Sequence, residues 1–193
     1  MFSEKWKKEL FTIPNLLSLF RIMLIPVYIT VYLSATENRQ FFLAGSILSV
    51  SCMTDLADGM IARKFHMDTT LGKILDPLAD KLTQLALILS LSARYPLLYP
   101  VLALFVVKEL FQVGALVFFA QKGKALSGAL FAGKLCTTVL FLSLTLLVLF
   151  PEIPGNAVVF LAFMDALFLI YSFLTYLAAY WGKGNRLTDL PGN

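Results

Sequence analysis

Apolar runs recur along the chain at about the length, ~20 residues, that carries a helix across the hydrocarbon core of a bilayer. Short polar breaks separate them. In order, the pattern predicts six spans: Pro14 to about Leu33, Phe41–Ala62, Lys73–Leu91, Leu98–Ala120, Leu130–Phe150 and Val158–Trp181. The breaks fall at Ser34–Gln40, Lys64–Leu71, Arg94–Pro96, Gln121–Ser127 and Pro151–Gly155. Pro14 opens the first span, where a proline costs no hydrogen bond. Pro26 predicts a kink within it, and Pro77 is expected in the first turn of the third span, where it is tolerated.

A soluble helical bundle would need polar faces, and stretches such as Leu97–Val107 and Leu140–Phe150 offer almost none. The composition, 59% hydrophobic and 15% charged, agrees. The expected fold is an all-α integral membrane protein, read as a single domain over residues 1–193. Residues 2–11 set Phe2, Trp6, Leu10 and Phe11 among lysines, which predicts a short interfacial amphipathic helix. No cleavable signal peptide is expected, because the following run carries Arg21 and no small-residue cleavage pattern. Residues 182–193 read as a polar tail. Cys52 and Cys136 lie in apolar segments and read as packing residues.

The net charge of +4 is modest, and its distribution says more. Six spans put both termini on one side with the 64–71 and 121–127 loops. That side holds Lys5, Lys7, Lys8, Lys64, Lys122, Lys124, Lys183 and Arg186. The opposite loops hold Arg39, Arg94, Glu37 and Glu152. The positive-inside rule makes the basic side cytoplasmic, in a bacterial-type cytoplasmic membrane. No feature points to nucleic acid.

Within this apolar chain, Asp55, Asp58, Asp76 and Asp80 crowd one stretch. Spacings of three and four residues put Asp55 and Asp58 on one helical face, and Asp76 and Asp80 on another. If those helices pack together, four carboxylates share a small volume opening to the cytoplasm, and like charges so close require a cation. Hard oxygen donors suit Mg²⁺, Mn²⁺ or Ca²⁺. Gly59 beside Asp58, and Gly72 four residues before Asp76, allow close approach of a ligand or a helix backbone, with a ligand favoured beside carboxylates. Arg63 can pair with an aspartate or a phosphate. Asn15 and Thr54 lie near helix ends on the cytoplasmic side, as nucleotide contacts or as capping and local hydrogen-bonding groups. Arg21, Lys108 and Lys134 lie within or near the start of spans. They are candidates for an acceptor phosphate, or for snorkelling and, at Lys108, local pairing with a carboxylate. His66 reads as a polar surface residue, and Asp165 as lining a cavity or an interface.

The run from Asp55 to Asp80 resembles, without a gap, the signature D-x2-D-G-x2-A-R-x8-G-x3-D-x3-D of the CDP-alcohol phosphatidyltransferase family. All eight fixed positions are present, and the six-helix pattern extends the resemblance over nearly the whole chain. It implies that an alcohol displaces CMP at the β-phosphate of a CDP-linked donor. It implies that Asp55, Asp58 and Asp76 bind a divalent metal, Mg²⁺ or Mn²⁺ and two ions per site, and position the CDP group. Asp80 would also lie at the metal and act as the catalytic base. Gly59, Ala62, Arg63 and Gly72 would shape the cytidine-diphosphate pocket, and the protein would be a homodimer.

Asp76-Pro77-Leu78-Ala79-Asp80-Lys81 and Ile13-Pro14-Asn15-Leu16-Leu17-Ser18-Leu19-Phe20-Arg21 look most like the branch that joins CDP-diacylglycerol to sn-glycerol 3-phosphate. Related branches use phosphatidylglycerol or inositol phosphate as acceptor, and Lys108-Glu109 departs from the Arg-Glu of many synthases. An ion-coupled transporter is the alternative of another class. It would show repeated halves and mid-membrane charges, where this chain has no repeat and a cluster at one rim, and it would release no CMP.

Overall fold

Among the described residues of the computed structural model there are six long helices: α1 (Ile13–Ser34), α2 (Asn38–Phe65), α3 (Gly72–Arg94), α4 (Tyr99–Gln121), α5 (Phe131–Leu149) and α6 (Gly155–Trp181). The structure describes residues 12–65, 69, 71–126, 130–181 and 187–189; the side chains of 56–59, 61–65, 73, 125, 126 and 187–189 lie outside it. The predicted interfacial segment 2–11 and His66 also lie outside the described residues. Among the described residues, four helices are long and apolar enough to cross a membrane: α1, α4 with its leading 3-10 turn Pro96–Leu98, α5 and α6. The other two hold the acidic stretch. Met23, Phe42, Leu110, Phe131 and Phe160 are exposed, as expected where the outer solvent is lipid rather than water.

Helix boundaries follow the chain's punctuation. Pro14 and Pro100 sit in the first turns of α1 and α4. At the start of α2, the Gln40 side-chain Oε1 accepts the backbone N–H of Thr36 at 2.6 Å and of Glu37 at 3.1 Å, half of a capping box. The helix α1 runs on through Pro26. Pro77, however, lies beyond the first turn, because α3 begins at Gly72. A proline at that depth gives no N–H to the carbonyl four residues earlier, so the helix ladder lacks one bond beside Asp76.

The polar tail is also more than a tail. Leu187–Asp189 (β2) pairs antiparallel with Lys124–Leu126 (β1), with Ala125 opposite Thr188. Three-residue strands leave no readable alternation, so the sequence pattern alone does not reveal them.

Contacts divide the chain into two units, residues 1–90 with 145–152, and residues 91–144 with 153–193. In the first, α1 packs on α2. Tyr28 stacks on Tyr32 at 5.8 Å between ring centroids, Tyr32 meets Phe41 edge-on at 5.6 Å, and the Tyr28 hydroxyl lies 3.1 Å from Ser90 Oγ. Asn38 Nδ2 donates to Glu152 Oε1 at 3.1 Å, which ties the start of α2 to the 145–152 segment.

In the second unit, α4 packs on α6 through Phe111, Phe119, Phe173, Tyr180 and Trp181. The buried Asp165 of α6 has Ser143 Oγ of α5 at 2.7 and 2.6 Å from its two carboxyl oxygens. Of the two readings of Asp165, this is the helix interface. At Gly133, a Cβ would come within 2.7 Å of the Tyr176 hydroxyl and 3.0 Å of its ring, so only glycine admits that contact without a shift.

Ser143→Ala is expected to cost about 1–3 kcal/mol by leaving a buried carboxyl without its hydroxyl partner. Gly133→Val is expected to cost about 1–3 kcal/mol through overpacking against Tyr176. Thermal unfolding of both variants in detergent micelles checks these values, and an unchanged Tm would contradict them.

Candidate active site

One face of α1 is polar in an otherwise apolar helix. Asn15, Ser18 and Arg21, spaced by three, are 1%, 0% and 2% exposed. Buried polar groups need partners, and all three find them on or just before α3. Asn15 Nδ2 donates to Thr69 Oγ1 at 3.0 Å, and that oxygen also accepts the Gly72 backbone N–H at 2.9 Å. Ser18 Oγ is hydrogen-bonded to Asp76 Oδ1. Arg21 Nη1 donates to Asp80 Oδ1 at 2.7 Å and reaches Asp55 Oδ1 of α2 at 2.5 Å. The three steps along α1 meet Thr69 just before α3, then Asp76 and Asp80 one turn apart on it, so polar pairing sets how α1 lies against α3.

Arg21 brings Asp55 and Asp80 together, because one guanidinium nitrogen contacts an oxygen of each. The cation is sealed in, with a side chain 3% exposed, while those of Asp55 and Asp80 are 42% and 54% exposed. The carboxylates are therefore gripped from the buried side and open on the other. One turn deeper, Leu24, Tyr28, Leu48, Ser51, Thr83 and Ala86 line a small, mostly apolar recess. A floor of this kind keeps the dielectric low and strengthens the charge interactions above it.

Two carboxylate oxygens aimed at one cationic nitrogen form a donor set that fits a hard divalent ion. Among the described residues, no three acidic, His or Cys side chains lie close enough to hold a metal by themselves. Asp58 stands one turn after Asp55 on α2, with its side chain outside the described residues.

The other predicted site residues divide clearly. Gly59, Ala62 and Arg63 lie on the backbone of α2, with side chains outside the described residues. At Gly72 the close neighbour is protein: a Cβ would stand 2.7 Å from Asn15 Oδ1 and 3.0 Å from Thr69 Oγ1. The space that a Cβ at Gly72 would need is taken by the Asn15 amide. Asn15 secures the entry to α3, and Thr54 Oγ1 donates to the Ser51 carbonyl at 2.7 Å. Lys108 is 2% exposed and its Nζ lies 2.7 Å from Glu109 Oε1, the local pairing weighed for it. Lys134 is exposed near the start of α5.

Ser18 is the residue that motif reasoning passed over. Its signal was the three-residue spacing of polar positions in α1, which marks a buried polar stripe.

The sequence profile of the CDP-alcohol phosphatidyltransferase family matches residues 11–180. The chain is 34% identical to the CDP-diacylglycerol–glycerol-3-phosphate 3-phosphatidyltransferase of Escherichia coli strain K12, over 88% of this chain and 94% of that protein. The proteins of the same name from Shigella flexneri serotype 5b and Shigella sonnei match with the same identity and coverage. The profile runs through both units and contains the whole of α1, α2 and α3 with the carboxylates they carry. On these grounds the chain belongs to the CDP-alcohol phosphatidyltransferase family.

Proposed function

We propose that this protein transfers the phosphatidyl group of CDP-diacylglycerol to sn-glycerol 3-phosphate, giving phosphatidylglycerophosphate and CMP. The observation that carries the reading is the convergence of Asp55 and Asp80 on one cation, within the family signature. The choice of acceptor rests on the relatives' names and their coverage.

Asp80 is the better placed of the two as base, being the more exposed. An alcohol is a weak nucleophile until a group within hydrogen-bond reach takes its proton. The acceptor oxygen bonds to the β-phosphorus, and the bond from that phosphorus to the bridging oxygen breaks. CMP leaves with the electron pair, and the hydroxyl proton passes to Asp80. Asp55, Asp58 and Asp76 would hold the divalent ion, with Asp80 also at the metal site. When bound, that ion neutralises charge on the diphosphate and fixes its orientation. Ser18 keeps Asp76 in place through its hydrogen bond. Gly59, Ala62 and Arg63 border the nucleotide, and Lys108 and Lys134 remain candidates for the acceptor phosphate.

All six helices cross the membrane in this reading, with termini and site on the cytoplasmic side. The basic loops support that orientation, as does the β1–β2 pairing, which joins the α4–α5 connection to the chain after α6.

Purified protein with CDP-diacylglycerol and Mg²⁺ is expected to release CMP with sn-glycerol 3-phosphate, and not with phosphatidylglycerol or inositol phosphate. Asp80→Asn is expected to lower that rate about 10²–10⁴-fold, the usual contribution of a general base. Activity confined to another acceptor would overturn the substrate assignment, and no CMP with any acceptor would overturn the reaction. Separately, EDTA should abolish CMP release, and excess Mg²⁺ or Mn²⁺ should restore it; full activity in EDTA would rule out the divalent ion.

A further inference from the structure

Arg21 is the only charged residue in α1. A lone charge inside a spanning helix is costly unless a partner offsets it. The carboxylates have the converse difficulty, since Asp55 and Asp80 repel each other at close range. The observed bridge relieves both. The asymmetry of exposure adds a direction: the guanidinium is sealed at 3%, and the carboxylates it holds stay about half open. A cation waiting for the phosphate of a soluble acceptor would face the open side. Arg21 faces the carboxylates from below.

We propose that Arg21 is the resident counter-cation of the metal site, holding Asp55 and Asp80 together from the buried side in the metal-free protein. It is a positioning residue that acts through the two aspartates. The divalent ion then meets a pre-assembled pair on its exposed side. This rests on the metal-dependent reading given above.

Thermodynamic linkage supplies the test. Without the guanidinium, the metal-free state carries unrelieved repulsion that only the incoming ion removes. The ion also escapes repulsion from a nearby positive charge. Full-length protein in detergent is stripped of metal and titrated with Mn²⁺, with free Mn²⁺ followed by electron paramagnetic resonance and Tm recorded with and without the ion. Arg21→Gln should bind Mn²⁺ about tenfold more tightly, the scale of one charge removed from a partly screened site. Its Tm should fall in the metal-free state, and Mn²⁺ should raise it further than in the wild type. Arg21→Lys, which keeps the charge, should stay close to wild type on both measures.

An equal loss of Tm with and without Mn²⁺, at unchanged affinity, would reduce Arg21 to a scaffold residue and overturn the proposal. So would weaker Mn²⁺ binding, or an effect confined to the KM for sn-glycerol 3-phosphate. If Arg21→Gln folds poorly, the double variant with Asp55→Asn should recover the metal-free Tm, because it removes the repulsion; no recovery overturns the proposal. Wild-type protein that binds no Mn²⁺ would sink both this inference and the metal reading. If it binds Mn²⁺ but releases no CMP, only the reaction falls, and the affinity comparison still decides the role of Arg21.

Discussion

Charge cannot stand alone in an apolar helix bundle, and this constraint shapes the first unit. Arg21 and the two aspartates it bridges are each costly without the others. The same logic extends along α1 to the neutral groups. Ser18 meets Asp76, and Asn15 meets Thr69 beside Gly72. Apolar packing between helices in lipid gives little directional preference. A stripe of three polar contacts does, because sliding α1 by one turn would strand every member of it. The carboxylates are therefore set by a helix that contributes no acidic residue.

The second unit applies the same constraint to a different end. Asp165 and Ser143 satisfy each other between α5 and α6, and Lys108 meets Glu109 beside it in the chain. These pairs link or steady helices without opening a reactive face. What separates them from the acidic stretch is exposure. Asp165 is 1% exposed, whereas the side chain of Asp80 is 54% exposed and can meet a ligand. Burial thus divides the acids of the helices into those that hold the fold together and those open to a ligand.

Much of this was legible in the chain beforehand. Helix positions came through to within a few residues, because apolar length and proline punctuation act locally. Asp55 and Asp80, one from each predicted carboxylate pair, meet at Arg21, while the side chain of Asp58 lies outside the described residues. The partners of Arg21 were not legible, since a cation near the start of a span satisfies a phosphate, a headgroup or an aspartate equally well on paper. Nor was the neighbour of Gly72, which depends on how α1 lies against the entry to α3. Pro77 fell outside the first turn because α3 starts earlier than its apolar run suggests. The short β1–β2 ribbon pairs segments remote in sequence and has no periodic trace. Local rules were readable, and choices among distant partners were not.

Neither unit is continuous along the chain. The first contains α1, α2 and the part of α3 that carries Asp76 and Asp80, yet it includes residues 145–152, where Glu152 accepts from Asn38. The second includes β2, which pairs with β1 across the whole of α5 and α6 in sequence. During synthesis, the helices bearing the aspartates would leave the ribosome well before the segments that complete either unit. The nascent protein would therefore hold its carboxylates in an unfinished setting until residues 145–152 have emerged.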